Sequence, residues 1–248
     1  MVPIEIILKI FVFLGDASLA KEIPEAFQAI APHFFRKISI GGSFGSRKEN
    51  IQTDLVRIYP ESGNHVETLT LVTDYSTRNT IAEFLKRFPV ERKIKHVQLL
   101  YSITEGCQAH LLTLGYESYL IEVLKTSPDL TRLSFLDVQP SSLLISACGD
   151  RLTRLDIGFI HPPFQNFEIP ITHRLEVLCF TPNAARYFIG SPPLTLRVLI
   201  IHAKQASDSF PTQECIRFVR SCTSVTNVAV IDACMFFYIF TIRHLRFL

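Results

Sequence analysis

The apolar positions in the middle of this chain recur in a fixed phrase. Leu-x-x-Leu occurs at Leu130/Leu133, Leu152/Leu155, Leu175/Leu178 and Leu196/Leu199, and an apolar residue follows each two places later: Phe135, Ile157, Phe180 and Ile201. The starts at 130, 152, 175 and 196 lie 22, 23 and 21 residues apart. An interval of that size signals a solenoid, whose repeats bury their apolar faces by stacking on one another. Within each phrase the alternation predicts a short strand with one buried face. The looser triplet, apolar at the first, fourth and sixth places, also fits Phe35/Ile38/Ile40, Val66/Leu69/Leu71, Ile94/Val97/Leu99, Val225/Val228/Val230 and Ile242/Leu245/Phe247. With 48% of the residues hydrophobic, such triplets arise by chance at about one start in nine. The outer ones are therefore assigned by context, a turn signal before and a helical pattern after.

Helical patterns recur between the triplets. Ile81, Phe84, Leu85 and Phe88 fall at helical spacing and stop at Pro89; Tyr119, Leu120, Val123 and Leu124 do the same and stop before Pro128. Ser141 is placed to cap a helix over 143–148 before Gly149, and Asn183 a helix over 184–189 before Gly190. Ile216 and Val219 share one face of a helix starting near Pro211. Alternation of apolar strands with helices predicts an α/β chain with a parallel sheet.

Leu-x-x-Leu-x-apolar resembles the opening of a leucine-rich repeat. That family implies an arc with a concave parallel sheet and outer helices. The repeat usually carries Asn or Cys eight residues after the first Leu, where this chain has Val138, Ile160, Asn183 and Lys204. Starts before 130 are spaced 31, 28 and 36 residues apart, and those after 196 by 29 and 17, so the repeats are degenerate outside 130–201.

The first residues add a second pattern. Pro3 suits the first turn of a helix and Glu5 its positive end. Ile4, Ile7, Leu8, Phe11 and Leu14 form an apolar face, and Ile6, Ile10 and Phe13 cover much of the remainder. A helix apolar nearly all round needs cover on several sides, and at the start of a chain a partner can supply one of them. Val2, Pro3, Glu5, Ile6, Ile10, Phe11 and Leu14 together resemble the opening of an F-box. The stretch from Asp16 to Ala20 then resembles the start of that motif's second helix, interrupted at Pro24, and Phe27, Ile30 and 31–40 its close. The chain is thus identified as an F-box-like helical domain over 1–40 followed by a leucine-rich-repeat solenoid over 41–248.

That resemblance implies a substrate-recognition subunit of a Skp–cullin–F-box ubiquitin ligase, cytoplasmic or nuclear, with no chemistry on the chain itself. By analogy Pro3, Ile4, Ile7, Ile10, Phe11, Leu14 and Leu19 face a Skp-type adaptor within the cullin complex. Strand alternation places Thr68, Thr70, His96, Gln98, Arg132, Ser134, Arg154, Asp156, His202 and Asn227 on the concave face that would hold an unknown target protein. Arg132 and Arg154 hold equivalent positions in adjacent repeats, which suggests either an acidic or phosphorylated target group or solvated surface charges with Asp156 as neighbour. The alternative function is a leucine-rich-repeat interaction scaffold whose N-terminal helices no longer dock an adaptor.

Composition narrows the remaining classes. A net charge of +2 and a pI near 8.2, with no basic run, do not point to nucleic acid. The six cysteines (107, 148, 179, 215, 222 and 234) form no C-x-x-C pair, which favours buried thiols in a reducing compartment over disulfides or zinc. The apolar runs 4–14 and 228–242 fall short of the ~20 residues a spanning helix needs, so no membrane partner is expected. Residues 41–48 follow a strand and hold Gly41, Gly42, Gly45 and Lys48, but their register is not that of a phosphate-binding loop. Cys107 and His110 lack a second pair for a metal site, so no metal, cofactor or catalytic residue is assigned. Leu248 ends the sequence without the polar cap that solenoid ends need, which implies a native chain that continues or a gene model cut there.

Overall fold

Six of the apolar triplets are entered through a turn that closes on the triplet's own first residue. Val66 N donates to Gly63 O (3.1 Å), Leu130 to Ser127 (3.3 Å), Leu152 to Gly149 (3.5 Å), Leu175 to Thr172 (3.3 Å), Leu196 to Pro193 (3.0 Å) and Val225 to Cys222 (3.3 Å). The turns begin on Gly, Ser, Thr, Pro or Cys, mostly residue types that favour tight turns. The next residue carries a second recurring contact. The carbonyls of Arg36, Glu67, Thr131, Thr153, Glu176 and Arg197 each accept two successive amides from the following strand's entrance, at 2.8–3.1 Å.

This computed structural model describes residues 24–41, 60–73, 77–88, 93–101, 115–158, 168–203, 213–232 and 237–241, with positions 3, 6, 9, 10 and 13. The chain divides into two compact units, Met1–Leu130 and Thr131–Leu248. In the first, helix α1 (Pro24–Phe34) leads into β1 (Lys37–Gly41), β2 (Thr68–Thr73), α2 (Arg78–Arg87), β3 (His96–Tyr101) and α3 (Glu117–Lys125). In the second, β4 (Arg132–Leu136), α4 (Ser142–Cys148), β5 (Arg154–Gly158), β6 (Ile169–Pro170), β7 (Val177–Phe180), β8 (Phe188–Ile189), β9 (Val198–Ala203), α5 (Gln213–Ser221), β10 (Asn227–Asp232) and β11 (Phe237–Thr241) follow. Both units are α/β with a mostly parallel sheet. β1, β2 and β3 pair in parallel. β4, β5, β7, β9 and β10 do likewise, and β11 closes antiparallel on β10.

Register brings the triplets together. Ile38, Leu69 and Val97 lie side by side, as do Ile40, Leu71 and Leu99. In the second unit Leu133, Leu155, Leu178, Leu199 and Val228 form one row, and Phe135, Ile157, Phe180, Ile201 and Val230 the next. All but Val230 are buried. The outer triplets thus share the geometry of the central ones; Ile242, Leu245 and Phe247 lie outside the described residues.

The helices close the cores as their spacing predicts. α2 buries Ile81, Phe84 and Leu85 and ends at the extended Phe88, whose successor Pro89 disfavours helix. α3 buries Leu120, Val123 and Leu124, while Tyr119 faces out. Ser141 Oγ caps α4 by accepting from Leu144 N (3.3 Å), and Gly149 ends it at φ +56°.

One expectation needs correction. Asn183 caps no α-helix: 182–187 form a 3-10 turn entered from Thr181, and Phe188 joins the short strand β8. Phe188 is drawn there by packing, since its ring lies 5.4 Å from Phe180 and 4.7 Å from Phe218. Pro24 stands at the start of α1, where its missing N–H costs nothing; residues 14–23, on which the expected second helix falls, lie outside the described residues. α5 carries Ile216 and Val219, both half-buried, together with the buried Cys215.

Gly41 shows how closely strand and helix approach. Its φ is +87°, and a Cβ there would collide with Val72 O and crowd Thr77 and Ile81. Gly190 has a similar φ of +85° but open space around it. Gly190→Ala is therefore expected to cost about 1 kcal/mol from backbone strain, and Gly41→Ala at least ~2 kcal/mol because the collision adds to it. Urea denaturation of both variants checks the order; equal losses would refute the close approach.

Candidate functional site

The sheet rows that face away from the triplets hold the predicted target-binding residues. In the first unit Thr68 lies beside His96 and Thr70 beside Gln98, all half-buried. In the second unit one row reads Arg132, Arg154, Val177, Val198 and Asn227, and the next Ser134, Asp156, Cys179, Ile200 and Ala229. His202 is half-buried opposite Ile231, and Asn227 is exposed.

Two members of this face are not open to solvent. Ser134 is 2% and Asp156 4% exposed. They are buried because the arginines of the neighbouring row fold over them. Arg132 Nε donates to Asp156 Oδ2 at 2.6 Å, Arg154 Nε to Oδ1 at 3.0 Å, and Ser134 Oγ to Oδ2 at 2.8 Å. The arginines are therefore not mutually exposed repelling charges, nor is Asp156 a solvated neighbour; the carboxylate is the hub that holds both. The guanidinium side chains stay about a third exposed, 38% for Arg132 and 34% for Arg154. Among the described residues, no hydrogen bond engages the terminal nitrogens of either one.

Burial alone would raise the Asp156 pKa. The hydrogen bonds from Ser134 and Arg132 and the charges of both arginines outweigh it, so the carboxyl ionises below its usual range. Burial, then the adjacent Asp156 charge, pushes the Cys179 thiol up to about 12. Burial likewise raises Cys148 and Cys222 to about 12 and Cys215 to about 11. These four are buried thiols outside any disulfide, and among the described residues no group of three or more His, Cys, Asp or Glu could hold a metal.

Sequence reasoning named only the polar members of this face. It missed Val177, Val198, Ile200 and Ala229, which alternation places on the same surface. The available signal was their position in the triplets: the third and fifth places hold Arg132 and Ser134 in one repeat and Val198 and Ile200 in another.

At the N-terminus, positions 6, 9, 10 and 13 are helical, and Ile6 N bonds Pro3 O at 3.0 Å. Pro3 is exposed, as are Ile6 (47%), Ile10 (47%) and Phe13 (76%). Spacings of three, four and three put these four residues on one helical stripe. Ile4, Ile7, Phe11, Leu14 and Leu19 lie outside the described residues. So do 42–48, although residues 41–45 also spell Gly-x-Ser-x-Gly, the spacing of a nucleophile elbow, which the sequence analysis did not assign. Among the described residues no helix is long and apolar enough to cross a membrane; the apolar run 228–242 instead contributes the antiparallel strands β10 and β11. No protein-family model matches the chain, and no curated protein matches it.

Two outcomes follow from this chemistry. Because its folded pKa is lowered, Asp156 contributes stability above the ordinary value of 3.8, which is lost as pH falls through the folded value. Asp156→Asn should cost roughly 2 kcal/mol at neutral pH and flatten the loss of stability below about pH 4; an unchanged acid limb in urea melts would refute the assignment. At pH 8 about a thousandth or less of each of the four buried thiols is ionised, so alkylation with peptide mapping should leave them unmodified until urea is added. Native labelling of any of them would contradict its burial.

Proposed function

We propose that this chain is the substrate-recognition adaptor of an SCF-type E3 ubiquitin ligase. Its first 40 residues serve as an F-box that docks a Skp-type adaptor within a cullin complex, and residues 41–248 form a leucine-rich-repeat solenoid that holds the target protein. The single observation that carries the reading is the exposed stripe of Pro3, Ile6, Ile10 and Phe13. Large apolar side chains aligned on one helix face and left in solvent favour a partner that covers them. A scaffold whose N-terminal helix merely capped the repeats would bury Ile10, which is about half exposed.

The repeat half draws support from the backbone. A turn, an apolar triplet and a carbonyl shared by two amides recur with parallel strands laid down in chain order. A doubly wound sheet would reverse its strand order at a switch point. Within the second unit the order β4, β5, β7, β9, β10 never reverses, as stacking repeats require. On this reading the chain performs no chemistry, and it works in the cytoplasm or nucleus, where ubiquitin ligases of this class assemble.

Co-expression with a Skp-type adaptor tests the proposal. The full chain should retain the adaptor through purification, and Ile10→Asp/Phe13→Asp should lose it while keeping the wild-type melting temperature, since both residues are exposed. Failure of the wild-type chain to retain any Skp-type adaptor would overturn the receptor reading and leave the scaffold.

A further inference from the structure

The outer face of the second unit changes character across its strands. β4 and β5 present Arg132 and Arg154, with terminal guanidinium nitrogens unengaged among the described residues. Beside them β7 and β9 present Val177, Val198 and Ile200, all half-buried. Two cations over a single buried carboxylate leave one net positive charge. Each Arg gives its Nε to Asp156, so both guanidinium groups are oriented before any ligand arrives, and their free edges can take a planar or tetrahedral oxyanion.

We infer that this face binds a peptide of the target in polyproline II conformation through one anionic oxyanion side chain, a carboxylate or a phosphate, set three residues from a branched aliphatic one. The spacing comes from sheet geometry. Adjacent strands lie about 4.8 Å apart, so Val198 on β9 is about 10 Å across the sheet from Arg154 on β5. A peptide in polyproline II conformation has three residues per turn and advances about 3.1 Å per residue, so side chains three residues apart lie on one side about 9 Å from each other. The anion sits on the arginine pair, and the aliphatic side chain covers Val198 and Ile200. The inference deepens the target-binding half of the proposed function and does not depend on adaptor docking.

The test uses the full chain and four acetylated peptide amides: Glu-Gly-Gly-Leu, phosphoserine-Gly-Gly-Leu, Ser-Gly-Gly-Leu and Glu-Gly-Gly-Ser. Binding is read in every variant from the NMR shifts of the backbone amides of β4, β5, β7 and β9 during titration, with the arginine Nε–H signals followed as well in the wild type. At least one of the two anionic Leu peptides should shift the Arg132 and Arg154 signals saturably. The neutral Ser peptide should bind at least about tenfold more weakly, because the charge-assisted bonds are gone, and the peptide ending in Ser should also weaken. Shifts with phosphoserine alone assign a phosphorylated target, and shifts with both anions an acidic one. Removing the arginines alone would leave the buried Asp156 carboxylate without its cations and destabilise the fold, so the control is Arg132→Gln/Arg154→Gln/Asp156→Asn, which neutralises the whole cluster. It should keep its cooperative melt and lose the discrimination. Equal binding of the charged and neutral peptides, no binding of either anionic Leu peptide, or retained discrimination in the triple variant would overturn the site. Adaptor co-purification of the same triple variant separates the two readings: retention there with failure of the peptides removes only the anion site.

Discussion

One carbonyl shared by two amides, at the entrances to β2, β3, β5, β7, β9 and β10, is the constraint on which the sheets depend. A carbonyl oxygen has two lone pairs, and here both are used by consecutive N–H groups of the next strand, as at Thr131 with Thr153 and Arg154. That contact fixes which residue lies opposite which before the regular ladder begins. A slip of one residue would turn every side chain to the other face and carry Leu155 and Ile157 out of the core. Because the turn and the shared carbonyl reset the register each time, the connections are free to vary. Starts 31 and 28 residues apart in the first unit, and 22, 23, 21 and 29 apart from Leu130 onward, lead to the same pairing. Loop closure cost rises only slowly with length, so degenerate spacing does not break the fold.

This explains what the amino-acid sequence made legible. The triplets could be read because apolar burial is periodic and register transmits it. The helices α2, α3 and α4 could be read from local spacing and, for α4, from its Ser141 cap. The backbone support could not. The Asn or Cys expected eight residues into each repeat is mostly absent, and at the opposite end of the strand hydroxyls satisfy carbonyls instead. Thr195 Oγ1 donates to Leu175 O and Ser224 Oγ to Leu196 O, both at 2.9 Å, and Thr172 Oγ1 reaches Leu152 O at 3.4 Å. Each is a single Ser or Thr shortly before a triplet, too common a residue to stand out without the partner carbonyl in view. Phe188 is similar: local punctuation predicts helix, and two rings outside that segment, Phe180 and Phe218, decide otherwise.

The outer face was legible only in its polar half. Alternation assigns a side to each residue, but it does not say which side chains will lie down over others. Asp156 is buried because register sets Ser134 directly beside it and Arg132 and Arg154 one row away, so three donors from two strands converge on one carboxylate. No single repeat contains that cluster. The apolar half went unnamed because Val177, Val198 and Ile200 read as ordinary strand residues.

The buried carboxylate has a consequence for recognition that stability alone would not demand. Burying a charge costs free energy that its partners offset only in good geometry, and an apolar replacement of similar shape is often as stable. An arrangement kept for stability alone would need only enough cations to neutralise Asp156. Here two guanidinium groups meet one carboxylate, and both use their Nε, the nitrogen nearest the chain, so the forked ends are left facing outward. Without Asp156 the two long side chains would repel and sample many rotamers, and ordering them would oppose binding by ~2 kcal/mol of side-chain entropy each. With it, that ordering belongs to folding, and the excess positive charge is fixed at the boundary between the charged and apolar halves of the sheet.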